Sequence, residues 1–277
     1  MNLASLLTAI HCKESFLCIG LDTDYDKIPS FLRKEKDPIW AFNKLIIEAT
    51  EALSIAYKFN LAFYEVRGAS GWKTLEKTLE LIPAHILTIA DGKRGDIQNT
   101  SQLYAKTFFE TFQFDAVTVN PYMGKDAILP FLAYPQKWVF ILALTSNQGA
   151  EDFQHCLVGD NTPLYQYVIQ TAQYWPSSGV IGFVVGATYP EALERLRARL
   201  PDTFFLVPGI GAQGGELSRV CKLGPRVIMN ISRSILYAGQ DKRFAEAAHK
   251  AALDAVMQMR QYYNFQAASP PRQNVQQ

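Results

Sequence analysis

Asp91, Lys93 and Asp96 follow directly on the apolar, β-branched run Leu87-Thr88-Ile89-Ala90. That is the pattern of a buried strand delivering charged side chains to its C-terminal end. Opposite charges packed so closely at the mouth of a buried strand are costly unless they serve one another or a ligand. A lysine pinned between carboxylates stays protonated, which suits it to proton delivery and makes it a poor nucleophile. The other reading of the same stretch is a solvated loop of mixed charge.

A second constellation lies further along. Gly209-Ile210-Gly211-Ala212-Gln213-Gly214-Gly215 is a G-x-G-x-x-G string between an apolar run and a helical one. Its place late in the chain, with no acid closing the next strand to hold a ribose, argues against a dinucleotide fold. The glycines fit better as a backbone-amide cradle for one phosphate, with Arg233 just beyond as a bidentate partner. A glycine turn beside a surface arginine is the alternative.

The elements that must position these groups alternate from one end of the chain to the other. Candidate strands are Phe16–Leu21, Ile55–Asn60, Ile86–Ala90, Ala116–Asn120, Trp138–Thr145, Val180–Val185, Phe204–Val207 and Val227–Ile231. Helical periodicity covers Trp40–Leu53, Trp72–Leu81, Gln98–Phe112, Ala127–Ala133, Leu164–Tyr174, Pro190–Leu200, Gly215–Leu223 and Phe244–Tyr262. The last sets Phe244, Ala248, Ala251, Ala255 and Met259 on one stripe. Eight β/α repeats in one chain fit an α/β fold of the (β/α)8, TIM-barrel type, single-domain over residues 1–264, better than an open doubly wound sheet. Residues 265–277, with Ser-Pro-Pro and a run of Gln and Asn, read as a disordered tail.

A barrel keeps its chemistry at the C-terminal ends of its strands. Those ends carry Asp22, Lys58 and Asn60, Asp91 and Lys93, Asn120, Thr145 and Ser146, Gly186, Pro208-Gly209, and Asn230 with Arg233. Carboxylates, lysines and an arginine around one mouth suit a small phosphorylated molecule. Ser146 and Asn120 have simpler readings as the caps of their strand ends, and Lys58, flanked by Phe59 and Leu61, as part of the core.

Composition narrows the field. A net charge of +1 gives no electrostatic case for nucleic acid or an anionic membrane, and 48% hydrophobic residues describe a chain able to bury a large core. The cysteines Cys12, Cys18, Cys156 and Cys221 show no C-x-x-C spacing, and the histidines form no H-x-x-x-H pair, so a disulfide framework and a zinc site are unsupported. There is no basic start followed by a long apolar run, and no stretch long enough to span a bilayer, which points to the cytoplasm.

Asp91-Gly92-Lys93-Arg94-Gly95-Asp96-Ile97 resembles the D-x-K-x-x-D signature of the orotidine 5′-monophosphate decarboxylase family. Lys58-Phe59-Asn60-Leu61-Ala62-Phe63-Tyr64-Glu65, Asn120-Pro121-Tyr122-Met123-Gly124, Thr145-Ser146-Asn147-Gln148-Gly149-Ala150 and the Val207–Gly215 block resemble its longer bacterial branch, the type 2 subfamily. The resemblance implies conversion of orotidine 5′-monophosphate (OMP) to UMP and CO2, the last step of de novo pyrimidine synthesis, without metal or cofactor. It implies that Asp22 and Lys58 hold the ribose hydroxyls, and that Lys58, Asp91, Lys93 and Asp96 form a charged network under the pyrimidine. Ser146 would meet the pyrimidine edge, and Gly211, Gln213 and Arg233 the phosphate. Asp96 and Thr100 would reach the partner's site, making a homodimer with shared active sites.

Loss of CO2 from C6 leaves a carbanion that the ring delocalises poorly, and an ordinary decarboxylase borrows an electron sink for it. The resemblance implies that fixed charge takes that role, with Lys93 stabilising the anion and then protonating it, while Asp91 would face the departing carboxylate. The Ser146–Asn161 segment is a candidate closing loop. Rival readings are a magnesium-assisted sugar-phosphate decarboxylase of the same superfamily, a Schiff-base aldolase and a non-catalytic nucleotide-binding barrel.

Overall fold

The near-continuous apolar runs fold as strands buried on both faces, the behaviour of parallel sheets covered by helices. The computed structural model describes residues 1–211 and 215–267. Eight strands close into a barrel with neighbours in chain order: β1 (Leu17–Gly20), β2 (Ala56–Asn60), β3 (Leu87–Arg94), β4 (Ala116–Val119), β5 (Trp138–Leu144), β6 (Val180–Val185), β7 (Phe204–Val207) and β8 (Val227–Ile231). The expected (β/α)8 fold is therefore the observed one. Its longer helices are α1 (Leu3–Lys13), α2 (Pro38–Thr50), α3 (Gly68–Leu79), α4 (Gln98–Lys106), α5 (Lys125–Leu132), α6 (Leu164–Ala172), α7 (Pro190–Arg199), α8 (Leu217–Cys221) and α9 (Phe244–Tyr262). No described helix is long and apolar enough to cross a membrane.

The contacts group into two units, one of Met1–Thr88 with the chain from Asn230 onward, the other of Ile89–Met229. In the first, α2 begins with Asp37 accepting from the Trp40 amide at 3.3 Å and Pro38 in its first turn. Phe42 of α2 stacks on Phe244 of α9 at 5.1 Å. The buried stripe of α9 is Phe244, Ala248, Ala252, Ala255, Val256 and Met259, so Ala252 rather than the expected Ala251 faces inward. Helix α1, absent from the periodicity reading, is capped by the Asn2 side chain accepting from the Ser5 amide at 2.8 Å and buries Leu6 and Ile10.

The tail boundary also moves. Phe265 is buried, its ring 4.7 Å from that of Phe16, and its carbonyl oxygen lies 3.1 Å from His11 Nδ1. An aromatic ring following a polar Asn264 gives no periodic signal in sequence, yet it packs on Phe16, the residue before β1. The rest of the expected tail, 268–277, lies outside the described residues.

In the second unit, Trp138 lies edge-on to Phe204 at 5.0 Å and stacks on Phe140 at 6.2 Å, filling the layer between strands with aromatic bulk. The helix expected over Gln98–Phe112 instead leaves α geometry after Lys106 and closes with a π turn, Thr107–Thr111. The wider turn buries the consecutive pair Phe108 and Phe109, which a regular helix spreads over neighbouring faces.

Candidate active site

Strand β3 does not stop at Ala90 as the apolar run suggested; it continues to Arg94. It pairs with β4 at Ala90 with Val117 and again at Arg94 with Val119, so Asp91, Gly92 and Lys93 stand opposite Thr118 alone. Such a bulge re-aims side chains where a regular strand keeps strict alternation. Lys93 adopts a left-handed φ of 48°, a conformation costly for a residue with a Cβ. The Lys93 amide donates to Thr118 Oγ1 at 3.0 Å, and the Thr118 hydroxyl donates to Asp91 Oδ1 at 2.9 Å. The Lys93 ammonium donates to the same Asp91 oxygen at 2.6 Å. Asp91 keeps 11% of its side-chain exposure and Lys93 47%, so the carboxylate is fixed in the wall while the ammonium stands at the opening. Arg94 lies over Tyr104 at 5.4 Å and donates to the Gly92 carbonyl at 3.1 Å, holding the bulge from outside.

Asp96 follows three residues after Lys93. Its carboxylate accepts from the Ile97 amide at 2.8 Å, and among the described residues its ion-pair partners do not include Lys93. Of the network expected of Lys58, Asp91, Lys93 and Asp96, the ion pair of Lys93 with Asp91 is present at 2.6 Å. Thr100 is exposed in the first turn of α4.

Ser146 is half-buried just past β5. It sits against Gly186, where a Cβ would come within 3.0 Å of the Ser146 amide nitrogen and Cβ, so the bare glycine makes room for it. The following loop is folded: the Thr145 amide donates to Gln154 Oε1 at 2.7 Å, and Gln154 Nε2 donates to Thr145 Oγ1 at 2.8 Å. A two-stranded ribbon, Leu157–Val158 with Thr162–Pro163, completes it.

Gly209 and Gly211 take φ of 93° and 73°, the left-handed angles that a tight turn asks of glycine. The Gly211 amide donates to the Gly215 carbonyl at 3.2 Å. Gln213 lies outside the described residues.

The unit that includes Met1–Thr88 holds the remaining groups. Lys58 is 4% exposed, and its ammonium lies 3.4 Å from Asp22 Oδ1. A lysine so buried keeps its charge only beside an anion. The segment carrying Asp22 is held by residues that sequence inspection missed. Tyr64 donates to the Leu21 carbonyl at 3.1 Å and accepts from Asn43 Nδ2 at 3.1 Å, while the Thr23 hydroxyl donates to Asn43 Oδ1 at 2.6 Å. Tyr237 donates to the Asp22 carbonyl at 3.0 Å and accepts from the Asp24 amide at 2.9 Å. Burial pushes the Tyr237 phenol up to about 12 and raises Tyr64 further still. Arg233 opens the helical turn Arg233–Leu236, exposed and without a side-chain partner among the described residues.

Comparison with known proteins gives a consistent match. Residues 15–248 match the model of the "Orotidine 5'-phosphate decarboxylase / HUMPS family". The chain is 52% identical over 255 residues to the orotidine 5′-phosphate decarboxylase of Christiangramia forsetii, covering 90% of this chain and 93% of that one. The structure of Leishmania donovani OMP decarboxylase superposes with a TM-score of 0.77 at 37% identity, covering 93% of this chain and 99% of that one. Leishmania donovani UMP synthase superposes with a TM-score of 0.83 at 38% identity over 95% of this chain, which spans only 56% of that longer protein.

Proposed function

The chain belongs to the orotidine 5′-phosphate decarboxylase family, whose reaction converts OMP to UMP and CO2, and from that premise we propose that Lys93 is the group that protonates C6. The bond from C6 to the carboxylate breaks, its electron pair stays on C6, and CO2 departs. A proton then passes from the Lys93 ammonium to C6, and the amine recovers a proton from water. The observation carrying this reading is the ammonium held 2.6 Å from Asp91 on a strained bulge. A fixed cation placed where charge develops requires no reorganisation as the reaction proceeds.

By the same family reading, Asp22 and Lys58 hold the ribose hydroxyls, Ser146 the pyrimidine edge, and Arg233 with Gly211 and Gln213 the phosphate. Grip on the remote phosphate supplies binding energy used at the ring, and the loop from Ser146 to Asn161 closes over the substrate. Asp96 and Thr100 of the partner subunit complete each site in a homodimer. Two features support this: among the described residues Lys93 pairs with Asp91 and not with Asp96, and the large apolar side chains Ile97, Leu103, Tyr122 and Met123 stand exposed. The enzyme works in the cytoplasm, where its exposed free thiols Cys12 and Cys156 stay reduced.

Lys93→Ala and Asp96→Ala proteins, mixed in equal amounts, test both parts through the loss of orotidylate absorbance. Each variant alone is expected to be at least about a thousandfold slow. Reassorted dimers carry one native site in half of the molecules and recover about a quarter of full activity. Rapid turnover by Lys93→Ala alone removes Lys93 from its role. No recovery on mixing removes the shared site.

A further inference from the structure

We infer that Thr118 is a positioning residue for the decarboxylation, setting both ends of Lys93 through one hydroxyl. Its Oγ1 accepts from the Lys93 backbone amide at 3.0 Å and donates to Asp91 Oδ1 at 2.9 Å, and that same oxygen receives the Lys93 ammonium at 2.6 Å. The result is a closed ring: hydroxyl, carboxylate, ammonium, lysine stem, lysine amide, and hydroxyl again. A lysine side chain has four rotatable carbons and a mobile tip. Here the root and the tip are referred to a single atom on the neighbouring strand.

The register explains why only β4 can supply that atom. Between the pairs Ala90–Val117 and Arg94–Val119 the bulge leaves Thr118 as the sole residue opposite Asp91, Gly92 and Lys93. Thr118 is 1% exposed, and it sits between Val117 and Val119 where an apolar side chain would serve the core equally well. A buried hydroxyl is costly unless bonded, and both of its bonds go to the proposed catalytic pair. The left-handed φ of Lys93 needs an outside restraint to persist, and the accepted amide bond is one.

The inference rests on the reading of Lys93 as proton donor, so Lys93→Ala is measured in parallel. Thr118→Val keeps the shape and deletes both bonds; Thr118→Ser keeps the hydroxyl. Expected for valine is a kcat lower by about a hundredfold, the scale of a misplaced catalytic group. KM for OMP and the affinity for UMP stay near those of the native protein, and serine restores kcat to within a few-fold. Thr118→Ala replaces valine if that variant does not fold, as judged by circular dichroism. A hydroxyl-free variant with native kcat overturns the inference, as does a serine variant as slow as valine. So does a change confined to KM. If Lys93→Ala itself turns over rapidly, the reading beneath fails first and is recognised by that variant alone.

Discussion

At the scale of single residues, the decisive fact is how each charge is kept. Lys58 has 4% exposure and faces Asp22 across 3.4 Å, whereas Lys93 faces Asp91 across 2.6 Å with nearly half of its side chain open. The first arrangement contributes to the fold, because loss of a charged partner inside the protein leaves a poorly solvated ion. Asp22→Asn is expected to lower stability by about 2 kcal/mol, the range for hydrogen bonds to charged groups, and to raise KM for OMP. Urea unfolding and steady-state kinetics measure the two; a variant of native stability would exclude the pair from the core energetics. Asp91 and Lys93 were legible in the sequence because a charge ending an apolar run is conspicuous. Thr118 was not, since a threonine in Ala-Val-Thr-Val is an ordinary strand residue until the register of β3 against β4 is known.

At the scale of elements, short contacts between strand ends decide where the proposed binding groups stand. Gly186 follows β6, and a Cβ there would come within 3.0 Å of Ser146. Gly186→Ala is expected to push Ser146 outward by a few tenths of an ångström and to raise KM severalfold, with hydrogen exchange at the Thr145 amide quickened as the Gln154 clasp loosens. An unchanged KM would mean that Ser146 does not meet the substrate. Strand positions were readable from apolar runs, and the ends of β2, β6, β7 and β8 fall where the runs end. The extension of β3 and the π turn after α4 were hidden, because both answer to what lies across from them: Thr118 in one case, the packing of Phe108 and Phe109 in the other.

At the scale of the whole molecule, buried phenols and a late aromatic ring tie distant parts of the chain together. Tyr237, from just after β8, holds the turn at Asp22 and Asp24, and its phenol is raised from 10.0 to about 12, chiefly by burial. A raised acid binds its proton more tightly folded than unfolded, so its contribution is complete below pH 10 and fades as pH climbs through 12. Tyr57 and Tyr64 shift the same way. Urea unfolding at pH 9 and 11 is expected to show a marked loss of stability in the native protein and a smaller loss in Tyr237→Phe, which has one fewer raised phenol; an equal loss in both would remove Tyr237 from the alkaline response. Phe265→Ala, emptying the place beside Phe16, is expected to cost about 3 kcal/mol and lower Tm with kcat preserved. A native Tm would show that the ring does not hold the chain end.

The sequence by itself determined the alternation of strands and helices, the strand ends at which charge appears, and the family, since each is written in local order: apolar period, abrupt charge, glycine spacing. Only the tertiary structure decided that Thr118 bridges Asp91 and Lys93, that Tyr64 and Tyr237 hold the Asp22 turn, that the Asp96 carboxylate accepts from the Ile97 amide, and that Phe265 belongs to the core. Those facts depend on register and on which residues remote in sequence share a wall, and pairings of that kind leave no trace in the order of neighbours along the chain.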